Sequence, residues 1–216
     1  IDDRWTVTGA VAHLDRSDPA DPARTGERTD AALRISYAAA EDLTLFGFVQ
    51  GTLDVSDGLS RNDRAGLGFD ARIGEHLDLR AEASAGDGGL AAEARATWRP
   101  TENNELYLGY SLDPTRGLST DPLSDRGRVV AGAAYRYTDT LSTFAESVYD
   151  LPGNQRSLTQ VYGVSWTPDP VWALSAGIEV GEIRDAASGD FDRFGMSLGF
   201  AWTPDEERTG RARLEY

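Results

Sequence analysis

The sequence contains no cysteine, so neither a disulfide framework nor a thiolate metal site is open to it. Histidine is almost as scarce, with His13 and His76 the only two. Basic residues are in deficit: 21 Lys and Arg against 36 Asp and Glu give a formal charge of −15, which repels a phosphate backbone and sets nucleic acid aside as a partner. No run approaches the roughly 18 uninterrupted apolar residues of a transmembrane helix. The glycine-rich piece at 86–89, GDGG, lacks the length and the lysine of a phosphate loop and reads as a hairpin turn.

These absences leave little for catalysis. His13 stands at the outer end of a strand and His76 in a tight turn at the opposite rim, so the two do not act together. His13 with Asp15 and Asp18 is the one acid-base grouping to weigh, against the plainer reading of polar residues at a strand end. The expectation is a protein that is not an enzyme, with no catalytic residues, no metal and no cofactor.

What the sequence does have is a hairpin recurring roughly every 30 residues. Its copies read ISYAAAEDLTLFGF, DARIGEHLDLRAEA, TWRPTENNELYLGY, YRYTDTLSTFAE and VSWTPDPVWALSAG, with a further start in FAWTPDEERTG. Each strand ends on Tyr37, Ile73, Trp98, Tyr137, Trp166 or Trp202, and the next opens on Leu43, Leu77, Leu106, Leu141 or Trp172. This layout predicts an all-β, antiparallel, up-and-down barrel of about 12 to 14 strands, one domain over residues 1–216. Tyr37, Trp98, Tyr137, Trp166, Trp172 and Trp202 would form an aromatic girdle at one rim.

Alternate residues share a face of a strand, and the two sets separate cleanly. Phe194, Met196, Leu198, Phe200 and Trp202 oppose Gly195, Ser197, Gly199 and Ala201. Ala65, Leu67, Phe69, Ala71 and Ile73 oppose Gly66, Gly68, Asp70 and Arg72. In a soluble barrel the apolar set points inward; in an outer-membrane barrel it points outward to lipid. Alternation fits both. Three features favour the membrane: a second face rich in Gly, Ala and Ser, aromatics at strand ends, and strands of roughly 9 to 12 residues, the length of a tilted membrane crossing.

The loops add a fourth. Ala39–Asp42, Gly74–His76, Pro100–Asn103, Thr138–Thr140 and Thr167–Pro170 are tight, whereas Asp15–Asp30, Val55–Asp63, Asp113–Arg126 and Ile183–Phe191 are long and polar. Gly86–Gly89 is a short exception and Leu151–Arg156 is intermediate. Short turns at one rim and long loops at the other mark a barrel inserted from the periplasm. The acidic loops DRSDPADP and LDVSDGLSRND either keep the rim hydrated or hold divalent cations shared with anionic lipid heads; neither has the spacing of an EF-hand. About 12 strands end at Trp202 and Thr209–Tyr216 makes a further segment; bacterial barrels have even strand numbers, so one strand is miscounted or missing from a chain that opens IDDRW.

The segments TWRPTENNELYLGYSLD, VSWTPDPVWALSAGIEVG and MSLGFAWTPD resemble hairpins of Gram-negative outer-membrane β-barrels. The likeness is greatest to the barrel regions of large proteobacterial surface proteins, in which W-x-P turns repeat. The resemblance implies the bacterial outer membrane, with its lipid and lipopolysaccharide as surroundings and additional barrel strands or a protein partner as neighbours. It implies no substrate, and leaves a scaffold or anchor, a small-solute channel and a soluble binding domain as the readings of function.

One set of residues stands out on the polar face: Asp70, Arg72, Asp78, Arg80, Glu82, Glu93, Arg95 and Arg99, a charge ladder from successive strands. It acts either as a closed wall of salt bridges or as a polar constriction for solutes. Two regions break the alternation. Phe46 and Phe48 lie opposite Leu45 and Val49, and Phe144 and Val148 share a face with Glu146. Both regions predict contact with another element inside or another subunit outside.

Overall fold

The computed structural model describes residues 3–17, 25–56, 58–112, 127–151, 155–185, 189–205 and 208–216. They form thirteen strands: β1 (Trp5–Arg16), β2 (Gly26–Ala40), β3 (Leu43–Val55), β4 (Arg64–Ile73), β5 (Leu77–Gly86), β6 (Gly89–Thr101), β7 (Asn104–Leu112), β8 (Gly127–Thr138), β9 (Leu141–Asp150), β10 (Gln155–Asp169), β11 (Trp172–Asp185), β12 (Gly189–Asp205) and β13 (Arg208–Glu215). Sheet order follows chain order from β1 to β13, the up-and-down arrangement expected. Contacts gather into two compact units: β1–β5 with β6 as far as Ala94, and β6 from Arg95 with β7–β13, Leu112 grouping with the first.

The strands run further than alternation alone indicated, reaching 17 residues in β12. At the aromatic rim the reason is a recurring bulge. Register shifts fall between Ala38 and Ala40, Arg136 and Thr138, Trp166 and Asp169, and Trp202 and Asp205. Residues that read as turn, such as Thr138 and Thr167, are bulged strand ends. A bulge leaves a residue unpaired, so Pro168 and Pro204, which have no N–H to give, fit there without loss of a ladder bond. The turns are then closed by side chains: Asp169 Oδ1 accepts the amides of Val171 (2.8 Å) and Trp172 (3.1 Å). Thr138 Oγ1 accepts those of Thr140 (3.2 Å) and Leu141 (3.1 Å). Gly74, at φ +60°, supplies the left-handed residue that lets Ile73 pair with Leu77.

The long-loop rim is less uniform than expected. The connection expected over Ile183–Phe191 contracts, because β11 and β12 stay paired as far as Asp185 opposite Gly189. Residues 113–126, expected as a long loop, lie outside the described residues.

Among the described residues only one large hydrophobic side chain is buried, Phe46 at 5% exposure. Val11 is 72% exposed, Leu67 70% and Leu198 58%. A sheet folded for water would not leave such side chains out, since each forfeits about 1.5–3 kcal/mol of burial.

Candidate functional site

The register assigns every side chain to one of two faces. In the first unit Trp5, Val7 and Val11 of β1 stand beside Tyr37, Ile35 and Ala31 of β2, and Leu45 and Val49 of β3 beside Phe69 and Ala65 of β4. In the second, rows run across the sheet: Trp172 beside Trp202, Leu174 beside Trp166 and Phe200, and Ile178 beside Tyr162 and Met196. From Trp172 to Val180 and from Trp202 to Phe194 this face carries no charge. Charge returns one row further out, where Glu182 faces Asp192. The uncharged stretch matches a tilted strand crossing the hydrocarbon layer.

The six girdle residues all lie on this face, toward the rim of bulged hairpins. Tyr37 packs on Trp5 at 4.7 Å between ring centroids, and Tyr137 meets Tyr135 edge-on at 4.5 Å. Trp172 lies 5.2 Å from Phe200 and 6.2 Å from Trp202. Trp98 and Trp166 are about half exposed at their strand ends. Alternation had omitted Trp5 and Tyr135 from this set; Tyr135 sits two residues inside Tyr137, on the same face.

On the polar face the expected ladder divides. Five members lie in the first unit as ion pairs on β4 and β5: Arg72 with Asp78 at 2.9 Å, and Arg80 with Asp70 at 3.1 Å and Glu82 at 3.8 Å. Glu93 lies on β6, at the same parity along the strand as Arg95 and Arg99. In the second unit Arg99 pairs with Glu105 at 2.9 Å, while Arg95 lies 5.1 Å over the Tyr107 ring. Arg34 was not foreseen as a member. It stacks 3.6 Å above Phe46 and reaches Asp70 at 3.6 Å, so a single carboxylate sits between two guanidinium groups. Arg80→Ala leaves Asp70 to Arg34 alone. These groups are about 40% exposed, so the expected loss is modest, about 0.5–1 kcal/mol, read as a lower thermal transition with ion selectivity unmoved.

The aromatic residues that broke the alternation pack within the sheet. Phe46 and Phe48 pack over glycines of the adjacent strand: a Cβ on Gly66 would lie 2.6 Å from Phe48, and one on Gly68 would meet Phe46 and the Ala81 carbonyl. Phe144 covers Gly163 in the same way, and Tyr107 covers Gly132, with its hydroxyl donating to Glu146 on β9. Aromatic rings on the polar face thus fill the space that glycines leave. The signal was present in the sequence, but only cross-strand register makes it readable.

At the long-loop rim the connection between β3 and β4 folds into a hydrogen-bonded knot. Asp63 Oδ1 accepts the Thr52 amide at 2.7 Å, and Oδ2 accepts from Arg61 at 2.8 Å. Buried Thr52 donates its hydroxyl to Asp30 at 2.8 Å and accepts the Asn62 amide at 2.8 Å. Asp63 is therefore engaged internally; among the described residues no group of three or more His, Cys, Asp or Glu is placed to hold a metal ion. The Thr52 amide, then Arg61, hold the Asp63 carboxyl below its usual range. A depressed carboxyl stabilises the knot above its unfolded pKa of about 3.9, and that contribution is lost as pH falls through the lower folded value. Protection of the Thr52 amide, taken relative to its intrinsic exchange rate, should fall only at pH below the ordinary carboxylate range, and in Asp63→Asn that acid step should disappear.

Of the His13 grouping, His13 Nδ1 lies 3.0 Å from Thr29 Oγ1, and Asp18 lies outside the described residues. His76 is in the turn between β4 and β5.

No family model matches this chain, and no curated protein does. Solved structures do. Two engineered variants of the porin of Rh. blastica superpose with TM-scores of 0.53 and 0.52 at 9% identity, covering 98% of this chain and 92% of theirs. The outer-membrane protein OmpT of Vibrio cholerae, in its trimer form, matches more loosely, at 14% identity and TM-score 0.45 over 99% of this chain and 89% of its own.

The fold is that of an outer-membrane β-barrel. In such a barrel the uncharged face is the lipid side and the small, charged face the interior. Thirteen strands fall within the range that the repeat predicted.

Proposed function

We propose that this chain is a β-barrel of the Gram-negative outer membrane, acting as a membrane-embedded scaffold or anchor. The observation that carries the reading is the uncharged apolar face, with charge confined to the other face and the far rim. Its surroundings are outer-membrane lipid and lipopolysaccharide. The W-x-P hairpins support a place as the barrel portion of a larger surface protein. An odd number of strands supports a further strand or a protein partner beside the sheet. The reading assigns no reaction; His13 stands on β1 and His76 in the turn between β4 and β5.

A second reading, a channel for small solutes, is favoured by arginines of the polar face that have no ion-pair partner among the described residues, Arg64 and Arg211. Purified protein should need detergent and migrate differently on a gel before and after heating. Planar-bilayer recording then separates the two readings: a closed scaffold gives no steps of conductance, a channel gives discrete ones. Protein that stays monomeric in water without detergent would overturn both.

A further inference from the structure

One row of the polar face has a composition found in no neighbouring row. Arg136 of β8 pairs in register with Ser142, Ser142 with Ser165, Ser165 with Ser175, Ser175 with Gly199, and Gly199 with Arg213 of β13. Three hydroxyls therefore stand side by side, closed at either end by a guanidinium, with no carboxylate among them. At the β13 end the row borders a cavity of about 390 Å³. Its lining joins small residues, Ser165, Ser175 and Gly199 among them, to Arg211 and Arg213, with Leu174 and Phe200 adding apolar surface. Arg213 keeps one ion pair, to Glu215. Arg211 has none among the described residues.

We infer that this cavity is a binding subsite for a small oxyanion, a carboxylate or phosphate group of a dissolved solute. Two guanidinium groups supply charge and fork-shaped donors, and the hydroxyls of Ser165 and Ser175 supply neutral donors that rotate to meet the anion. The small residues let the anion approach the backbone between the two arginines. Other arginines of this face are matched by acids, as Arg193 is by Glu179 at 2.6 Å and Arg128 by Asp150 at 3.0 Å, while Arg64 meets the Ser84 hydroxyl at 2.9 Å. An unmatched cation beside a recess of small residues does not serve mutual neutralisation, and it fits an anion that arrives from solution. The inference rests on the reading that the polar face is the water-filled side.

The test uses the full chain in detergent, with inorganic phosphate and citrate as probes and calorimetry as the readout, so that conductance plays no part. The wild type should bind at least one probe at low ionic strength, and more weakly as salt rises. Arg211→Gln with Arg213→Gln should weaken binding about tenfold or more, each charged hydrogen bond being worth roughly that factor. Arg156→Gln with Arg184→Gln removes the same charge at the far rim and should leave binding unchanged. Heat-dependent gel migration checks that both variants fold. No binding by the wild type, or equal losses in the two double variants, would overturn the subsite while leaving the channel reading to its own recordings. Binding that the Arg211 pair abolishes in a protein without conductance would keep the subsite and discard the channel.

Discussion

Replacing Leu198 with arginine is expected to cost about 2–4 kcal/mol of folding stability in a bilayer, the penalty for a guanidinium near the midplane of a lipid-facing strand. Leu198 is the middle residue of the apolar side of β12, between Ala176 and Leu214 in register. It is more than half exposed, so the effect has a sharp alternative. A residue so open to water would accept arginine with almost no change, within about 0.5 kcal/mol. Urea titration of protein folded into vesicles gives the number, and Asp192→Arg on the same face beyond the band supplies the comparison. The cost falls to about 0–1 kcal/mol near the interface, so the second variant should be nearly neutral.

The second large effect concerns the glycines beneath the rings. Gly163→Ala places a methyl group where the Phe144 ring lies, the ring supplying the three nearest atoms. Overpacking of this kind costs about 1–3 kcal/mol. Phe144→Ala alone should cost less than an ordinary core truncation, because the ring is 45% exposed on the polar face. Together the two changes should cost clearly less than their sum, with a coupling of about 1 kcal/mol or more, because removing the ring removes the clash. Additive losses would mean that Phe144 does not rest on Gly163. The same experiment at Gly68 should behave differently: there the Ala81 backbone carbonyl also blocks the methyl group, and no change at Phe46 relieves that.

Much of the architecture could be read from the chain because its period is two throughout. The face of Leu198 or Leu67 follows from parity, and parity survives any error in where a strand ends. Strand ends themselves were not legible. Thr138, Thr167 and Ala39 look like turn residues, and a bulge keeps them in the sheet; nothing local separates a bulged residue from the first residue of a turn. Ile183–Phe191 looked like a long loop for the related reason that its charges, Arg184 and Asp190, stand on paired strand ends in register with each other.

The polar face was half legible. Arg80 with Asp70 follows from adjacent strands in register, but Arg34 reaches the same carboxylate from β2, two strands away, across Phe46. Tyr107 likewise spans β8 to reach Glu146. Contacts of this kind depend on a glycine under the reaching side chain, and the sequence shows the glycine without showing what lies over it. The serine row is the same case: Ser142, Ser165 and Ser175 are unremarkable in their own strands and become a feature only once the register sets them abreast.

The chain has no cysteine, so single cysteines can be introduced along β12 from Phe194 to Trp202 and spin-labelled one at a time. Collision of each label with oxygen, which concentrates in lipid, and with a water-soluble nickel complex can then be measured in reconstituted vesicles. A lipid-facing apolar side predicts a period of two, with oxygen contact greatest at 194, 196, 198, 200 and 202 and nickel contact at the positions between. The opposite phase, or labels that all meet nickel and none lipid, would contradict the membrane assignment of this face.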